Sequence, residues 1–256
     1  MKEPLILSVG KLATFLACRR RFQLRTLAHL PWPASPLDET AEAAVARGRH
    51  FHQLIERHFL GLELFLETIA DAQLGRWWRL FQESGPPLPD GRPLPEVQLT
   101  LPIGRHLLTG RFDLVVLGTD ETTGAATAHI FDWKTGRALD ETALKQEWQT
   151  RLYLAMLTEG GGALLGQMGI RFNPDNVAIT YWYVTQPEAP RTIRYSQPRH
   201  AQNWAEIEAL VAEIDKALDG DTWPMTEDWS QCRACAYQAH CQRQEAGSGG
   251  VVIGNL

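Results

Sequence analysis

Two aspartates and a lysine interrupt stretches of the chain that are otherwise apolar. Asp113 sits in Gly110-Arg111-Phe112-Asp113 ahead of Leu114, Val115, Val116 and Leu117, and Asp132 and Lys134 flank Trp133 in Phe131-Asp132-Trp133-Lys134. The composition of both stretches predicts strands, and because strand side chains alternate with period two, Asp132 and Lys134 share a face. If the two stretches are neighbouring strands, two carboxylates and an ammonium converge on one point. An acid at a strand end ordinarily caps a turn or pairs with a base; the two acids together with the lysine point instead to a site. Hard carboxylate oxygens suit Mg2+ or Mn2+, which take few protein ligands and keep several waters. Such an ion lowers the pKa of water and neutralises charge developing on a phosphate, while a nearby ammonium orients that water or stabilises the transition state. This is the chemistry of phosphodiester hydrolysis.

The cysteines are the second group. Cys232, Cys235 and Cys241 form a C-x2-C-x5-C cluster, and Cys18 stands 214 residues before Cys232. Two disulfides are not needed by a chain of 256 residues, and the N-terminus lacks the small-residue cleavage site of a secretory signal. Four thiolates around one centre can hold zinc or a cubane iron-sulfur cluster, and spacing alone does not separate the two.

The elements that must position these residues follow from periodicity. Segment 8–30 reads as one or two short helices ended by Trp32-Pro33-Ala34-Ser35-Pro36, a long helix runs from Thr40 to about Leu66 carrying Gly48, His52 and Glu56, and another spans 67–83. After the loop Gly85–Gly91 the period switches to two through Val97, Leu99 and Leu101, then Leu108 and Phe112–Leu117, then Ala128–Trp133, with turns at Gly104-Arg105 and Asp120–Gly124. Residues 140–158 read as a helix, 177–185 as a strand and 199–219 as a helix. The order is that of a mixed α/β fold around one sheet. Hydrophobic content of 44% and charged content of 21% are ordinary globular values, and no apolar stretch approaches the length of a membrane span, so a soluble cytoplasmic protein without membrane contact is expected. Net charge of −5 does not advertise nucleic-acid binding, but Arg19, Arg20, Arg21 and Arg25 form one local basic cluster, and Arg47, Arg49, His50 and His52 another.

Taken in order, these residues resemble the PD-(D/E)XK nuclease superfamily in its RecB-like branch, which includes AddB-type helicase-nucleases and small CRISPR-associated nucleases. Ser8-x3-Leu12-x5-Cys18-Arg19-Arg20-Arg21-Phe22 resembles the opening motif of AddB-type domains, with Arg19 where proline is usual. Gly48-x3-His52 resembles the helical His motif, Gly110-x2-Asp113 the first acid, Asp132-x-Lys134 the acid-lysine pair, and Gln149-x3-Tyr153 the Q-x3-Y motif, before the terminal cysteines. The resemblance implies a restriction-endonuclease-like α/β core (helix, three antiparallel strands, helix, strand) with helical insertions. It also implies one nuclease domain over 1–246, in which the Cys18 region and 228–243 form a cluster subdomain, followed by a flexible tail at 247–256.

The resemblance further implies a Mg2+- or Mn2+-dependent deoxyribonuclease, an exonuclease on single-stranded DNA ends, acting in DNA repair or recombination with a helicase or in CRISPR adaptation. A catalytically silent DNA-binding or scaffold subunit of a helicase-nuclease complex is the alternative. By the same resemblance Asp113, Asp132, His52 and the main-chain carbonyl of Trp133 hold the metal, and Lys134 positions the attacking water. Gln149 and Tyr153 face the substrate or hold Lys134, and Arg19, Arg20 and Arg21 contact DNA. Glu96, at the head of the first strand, reads either as a supporting carboxylate or as an ordinary exposed strand-end residue. By the same resemblance, one remote cysteine and three clustered ones match the iron staple of the RecB-like branch, which implies a 4Fe-4S cluster at Cys18, Cys232, Cys235 and Cys241 rather than zinc.

Overall fold

The computed structural model describes residues 3–31, 39–64, 70–167, 169–233 and 235–246. The expected breaker at Trp32–Pro36, the stretch 65–69 between two expected helices, and the tail 247–256 lie outside them.

The chain opens on a short strand, β1 (Ile6–Ser8), which turns directly into α1 (Val9–Ala17). Ser8 makes the turn possible because its hydroxyl accepts from the Lys11 amide and so caps the new helix. Cys18 repeats the device, its sulfur accepting from the Arg21 amide at the start of α2 (Arg19–Phe22), which runs on into a π-helical turn at Gln23–Leu27. The long helix α3 spans Glu39–Phe59 and stops before Gly61, which has φ +67°, so it ends short of the expected Leu66. Helix α4 is Ala72–Ser84, capped by Asp71 through the amides of Gln73 and Leu74.

The three expected strands are β2 (Arg92–Ile103), β3 (His106–Thr119) and β4 (Ala126–Lys134), paired antiparallel in that order. The expected helix at 140–158 is two, α5 (Glu141–Gln146) and α6 (Trp148–Gly160), because Glu147 adopts an extended conformation between them. They cross over to β5 (Val177–Tyr183), which lies parallel to β4; the edge strand β6 (Arg191–Arg194) and helix α7 (Gln197–Gly220) complete the core. The sheet order is β1-β3-β4-β5-β6, with β2 on the other edge of β3.

Alternation along the strands loads the two faces differently. Val115, Leu117, Ile130, Ile179, Tyr181 and Tyr183 belong to a core shared with α1, α6 and α7. Leu114, Val116, Phe131, Trp133 and Trp182 point the other way into an aromatic cluster with Phe51 and Ile55 of α3 and Trp77, Trp78 and Phe81 of α4. Each such burial is worth about 1.5–3 kcal/mol, and Phe131 and Trp133, on either side of Asp132, both belong to this cluster. Among the described residues, no helix is long and apolar enough to cross a membrane.

Candidate active site

The sheet forks where the two acids meet. On one edge β3 pairs with β1 at Leu107–Thr109 and with β4 from Leu114 onward, the last pair being Leu114 with Phe131. Asp113 and Asp132 are therefore the first residues past the end of that ladder, facing each other across the opening. Asp113 holds the fork through its side chain, accepting from the Trp133 amide at 2.9 Å. On the opposite edge the β2 ladder brackets the same level, Pro95 with Leu114 and Val97 with Phe112, so Glu96 stands opposite Asp113. Glu96 has φ +49°, a conformation uncommon for a residue with a side chain, and such strain is characteristic of functional positions.

Helices close the fork from both faces. Gly48 lets α3 approach the end of β4: a Cβ there would meet the Thr135 hydroxyl at 3.3 Å. One turn later His52 presents Nδ1 to Asp113 Oδ1 at 3.3 Å. From the other face α6 brings Gln149, whose amide nitrogen donates to Asp132 at 2.6 Å and whose carbonyl accepts from Lys134 at 3.0 Å. Lys134 lies 2.9 Å from the other Asp132 oxygen. Tyr153, one turn along α6, donates to the Arg111 carbonyl at 2.6 Å and stacks edge-on against Phe112. Gly110 makes room for it, since a Cβ there would sit 3.2 Å from the Met156 sulfur and 3.4 Å from the Tyr153 ring.

The electrostatics divide the acids into two kinds. Burial holds the Asp132 carboxyl above the usual carboxylate range against the opposing pull of Lys134, and Asp113 adds to the rise. Burial acts on Asp113 in the same direction, but His52, the Trp133 amide and Lys134 outweigh it and keep this carboxyl low. Burial would push His52 down; Asp113 overcomes it and holds the imidazole above its ordinary value. Glu96 is raised by burial and by the neighbouring charge of Asp113, with Arg111 at 3.1 Å opposing.

A divalent cation fits this arrangement. One ligand atom each from His52, Glu96 and Asp113 lies within 4.8 Å of the others, and this is the one such trio of His, Cys, Asp or Glu among the described residues. Two carboxylates pressed together in a half-buried fork repel unless a cation joins them. Asp132 Oδ1, buried beside this trio, has the Lys134 ammonium at 2.9 Å. Of the residues expected to share the metal, His52 and Asp113 come together, while Asp132 is turned toward Lys134 and Gln149, and Trp133 contacts Asp113 through its amide. Glu96, which by sequence fits either a supporting carboxylate or an exposed strand end, joins the trio. Its signal was its place eight residues before Gly104-Arg105, which by hairpin register puts it opposite Asp113.

The four cysteines line one cavity together with Arg21, Met225 and Tyr237, and none is in a disulfide. Burial and the neighbouring thiols raise Cys241. The arginines next to Cys18 already have partners in the protein: Arg19 pairs with Glu213 at 2.5 Å, Arg20 bonds Gln23 at 2.5 Å, and Arg21 donates to the Gln231 carbonyl. The Arg21 contact ties the N-terminal helices to the cysteine-bearing segment and the Arg19 contact ties them to α7, while the Arg20 contact stays within its own segment.

Comparison with known proteins agrees with the geometry. The profile of the PD-(D/E)XK nuclease superfamily matches residues 6–242. Among solved structures, a protein of Eubacterium rectale described as a "Putative exonuclease" superposes with TM-score 0.55 at 13% identity, covering 92% of this chain and 87% of that one. The structure of SSO0001 gives TM-score 0.46 at 14% identity over 94% of this chain and 87% of that one. No curated protein matches the sequence.

Proposed function

The chain belongs to the PD-(D/E)XK nuclease superfamily, and from that premise we propose that it is a divalent-metal-dependent deoxyribonuclease acting as an exonuclease on single-stranded DNA ends. The observation that carries the reading is the single fork at which His52, Glu96 and Asp113 gather while Lys134 is held between Asp132 and Gln149. The likeness of fold to a protein described as an exonuclease supports the mode of attack.

His52, Glu96 and Asp113 would hold Mg2+ or Mn2+, with the Asp132 carboxylate adjoining. When bound, the ion supplies Lewis-acid stabilisation of charge on the phosphate and lowers the pKa of water. Lys134 places the attacking water: Asp132 and Gln149 fix its ammonium from two sides, and burial limits its alternatives. Asp132 and Lys134 lower each other's cost of burial, so the ammonium stays charged where phosphate charge develops. Gln149 acts as a positioning residue for both. Tyr153 holds the Arg111 backbone and through it the stretch of β3 just before Asp113.

Cys18, Cys232, Cys235 and Cys241 would hold a structural 4Fe-4S cluster. Their gathering around one cavity supports a shared four-thiolate site, and the family resemblance favours the cluster over a single zinc ion. A helicase or CRISPR-adaptation partner remains the extension of this reading suggested by the family resemblance.

The test is anaerobically purified protein incubated with end-labelled single- and double-stranded DNA and Mn2+ or Mg2+. Stepwise shortening of single strands, abolished by EDTA and by Asp113→Asn, is the expected result. Absence of metal-dependent cleavage by protein that retains its fold would overturn the reading.

A further inference from the structure

In the stretch Gly110-Arg111-Phe112-Asp113, Gly110 makes room for Tyr153, Phe112 is buried in the core and Asp113 joins the trio at the fork. Arg111 does none of these. Its side chain is 73% exposed, and its Nε lies 3.1 Å from Glu96 Oε2, which is its one ion pair among the described residues. The neighbouring Gly110 faces Met156 and Tyr153 of α6, so by alternation Arg111 leaves the sheet on the opposite face. The strand register agrees: Gln98 lies directly across from Arg111 and Thr100 across from Thr109. Gln98 bonds Thr109 at 3.4 Å and Thr109 bonds Thr100 at 3.1 Å, so these polar side chains share one exposed face of the β2–β3 hairpin, with Arg111 at the end nearest the fork. The Tyr153 hydroxyl, 2.6 Å from the Arg111 carbonyl, pins the backbone from which the guanidinium reaches Glu96. Lys134 is 4% exposed and brings its charge from inside the fork, whereas Arg111 brings its charge from the solvent side.

An ion pair with so exposed a member holds weakly, because water screens it and a long side chain must be kept still. Glu96 also lies within reach of Asp113 and His52, where a divalent cation shared by all three has the stronger claim on its carboxylate and repels a guanidinium at this distance. Resting on the nuclease reading above, we propose that Arg111 is a substrate-contacting residue: it leaves Glu96 when the fork takes up its divalent cation and grips a phosphate of the nucleic-acid strand lying there. The side chain is open to solvent and free to swing, while its pinned backbone keeps the guanidinium at the mouth of the fork. Its planar set of donors suits phosphate oxygens, which it can hold two at a time. Glu96 thereby couples the two ligands, since the strand gains this contact only once the carboxylate has exchanged its partner.

The test reads two affinities of the full chain, which should move in opposite directions. In calorimetry without DNA, Arg111→Gln should bind Mn2+ about threefold more tightly than wild type, because Glu96 no longer has an exposed ion pair to give up. A fluorescent phosphorothioate single strand is then titrated from about 50 to 200 mM salt, in Ca2+ at a concentration that saturates the fork in the same calorimetry, and checked intact on a gel. Arg111→Gln should bind this strand about fivefold more weakly at about 100 mM salt, with a slope of log affinity against log salt lower by about 0.7, the value for one phosphate contact. Arg111→Lys, which keeps the charge, should restore most of the slope. In EDTA, where Glu96 retains Arg111, wild type and Arg111→Gln should share one slope. A slope unchanged in Ca2+, or lowered equally in EDTA, overturns the contact. Mn2+ binding that is unchanged or weaker in Arg111→Gln also overturns it, since Arg111 would then do no more than support Glu96. Cleavage of an ordinary single strand by wild type in Mn2+ is scored separately: its absence defeats the nuclease reading, and cleavage by a protein whose Arg111→Gln variant fails either binding test defeats only the role of Arg111.

Discussion

At the fork of the sheet each polar side chain is held by another one that sits on a regular helix or strand, while at the cysteine cavity the side chains hang from turns at opposite ends of the chain. Asp113 is fixed by the Trp133 amide and His52, and Lys134 by Asp132 and Gln149. Around the cavity Cys18 ends one helix and begins another, Cys232 closes a 3-10 turn, and Cys235 and Cys241 lie in turns. The two ends are also joined by single bonds, such as the Tyr237 hydroxyl to the Leu30 carbonyl at 2.8 Å and the Arg20 amide to the Pro224 carbonyl at 3.1 Å. The fork is thus prearranged by packing that would persist without a metal. At the junction Phe22 stacks on Trp223 at 6.0 Å, but the cysteine-bearing turns beyond Trp223 would still gain from a crosslink. Substitutions at the first should change chemistry and spare stability; substitutions at the second should do the reverse.

The largest expected effect is at the fork. Asp113→Asn keeps the shape of the side chain and removes its charge, so metal-dependent cleavage should fall by roughly 10³-fold while the melting temperature moves little. Cleavage rates on a labelled single strand, alongside a thermal melt, check both halves. A variant that cuts normally would remove Asp113 from the site, and one that unfolds would break the contrast between the regions.

Next comes the junction. If the four thiolates share one cluster, Cys18→Ser opens a crosslink spanning 214 residues, worth at most roughly 5 kcal/mol by loop-closure entropy. Loss of bound iron and sulfide and a large drop in melting temperature are expected, with residual cleavage by whatever fraction stays folded. Metal analysis of the anaerobic protein decides the cofactor: zinc in place of iron, or unchanged metal content in Cys18→Ser, would sink the four-thiolate cluster and leave the fork untouched.

Glu96→Gln sharpens the description of the fork itself. As a metal ligand its loss should raise the Mn2+ concentration needed for half-maximal cleavage by about 10–100-fold, with rate recovered at high Mn2+. Without a ligand role, removing a carboxylate that repels Asp113 would stabilise the fold and leave the metal dependence as it was.

Much of this site was legible because its information is local. Period-two alternation placed Asp113 and Asp132 on strands, the Gly104-Arg105 and Asp120–Gly124 turns made those strands neighbours, and the spacing Gln149-x3-Tyr153 set both side chains on one helix face. The rest depends on contacts far apart in sequence. Strand β1 is three residues long and exists through its pairing with Leu107–Thr109, so no window of the sequence around Ile6 displays it. The break at Glu147 is set by α6 turning in against the sheet, although residues 140–158 have helical composition throughout. Glu96 resembles any strand-end acid until the two ladders around Asp113 are laid side by side.

The smallest effect tests what the arginines next to Cys18 do. Arg19 pairs with Glu213 of α7 at 2.5 Å and lies 5.2 Å over the Phe15 ring, with both members of the ion pair substantially exposed. An exposed pair of this kind contributes about 1 kcal/mol at most, because water screens it and two long side chains must be held still. Arg19→Gln, Glu213→Gln and the double variant form a cycle whose coupling should be within that bound. Each variant should bind single-stranded DNA with the wild-type salt slope, since a charge already paired inside the protein releases no counterion from DNA. A contact to phosphate would instead lower the slope by about 0.7 in Arg19→Gln and leave it unchanged in Glu213→Gln. That outcome would place part of the DNA path at the junction, and the cysteine-lined region would then serve binding as well as stability.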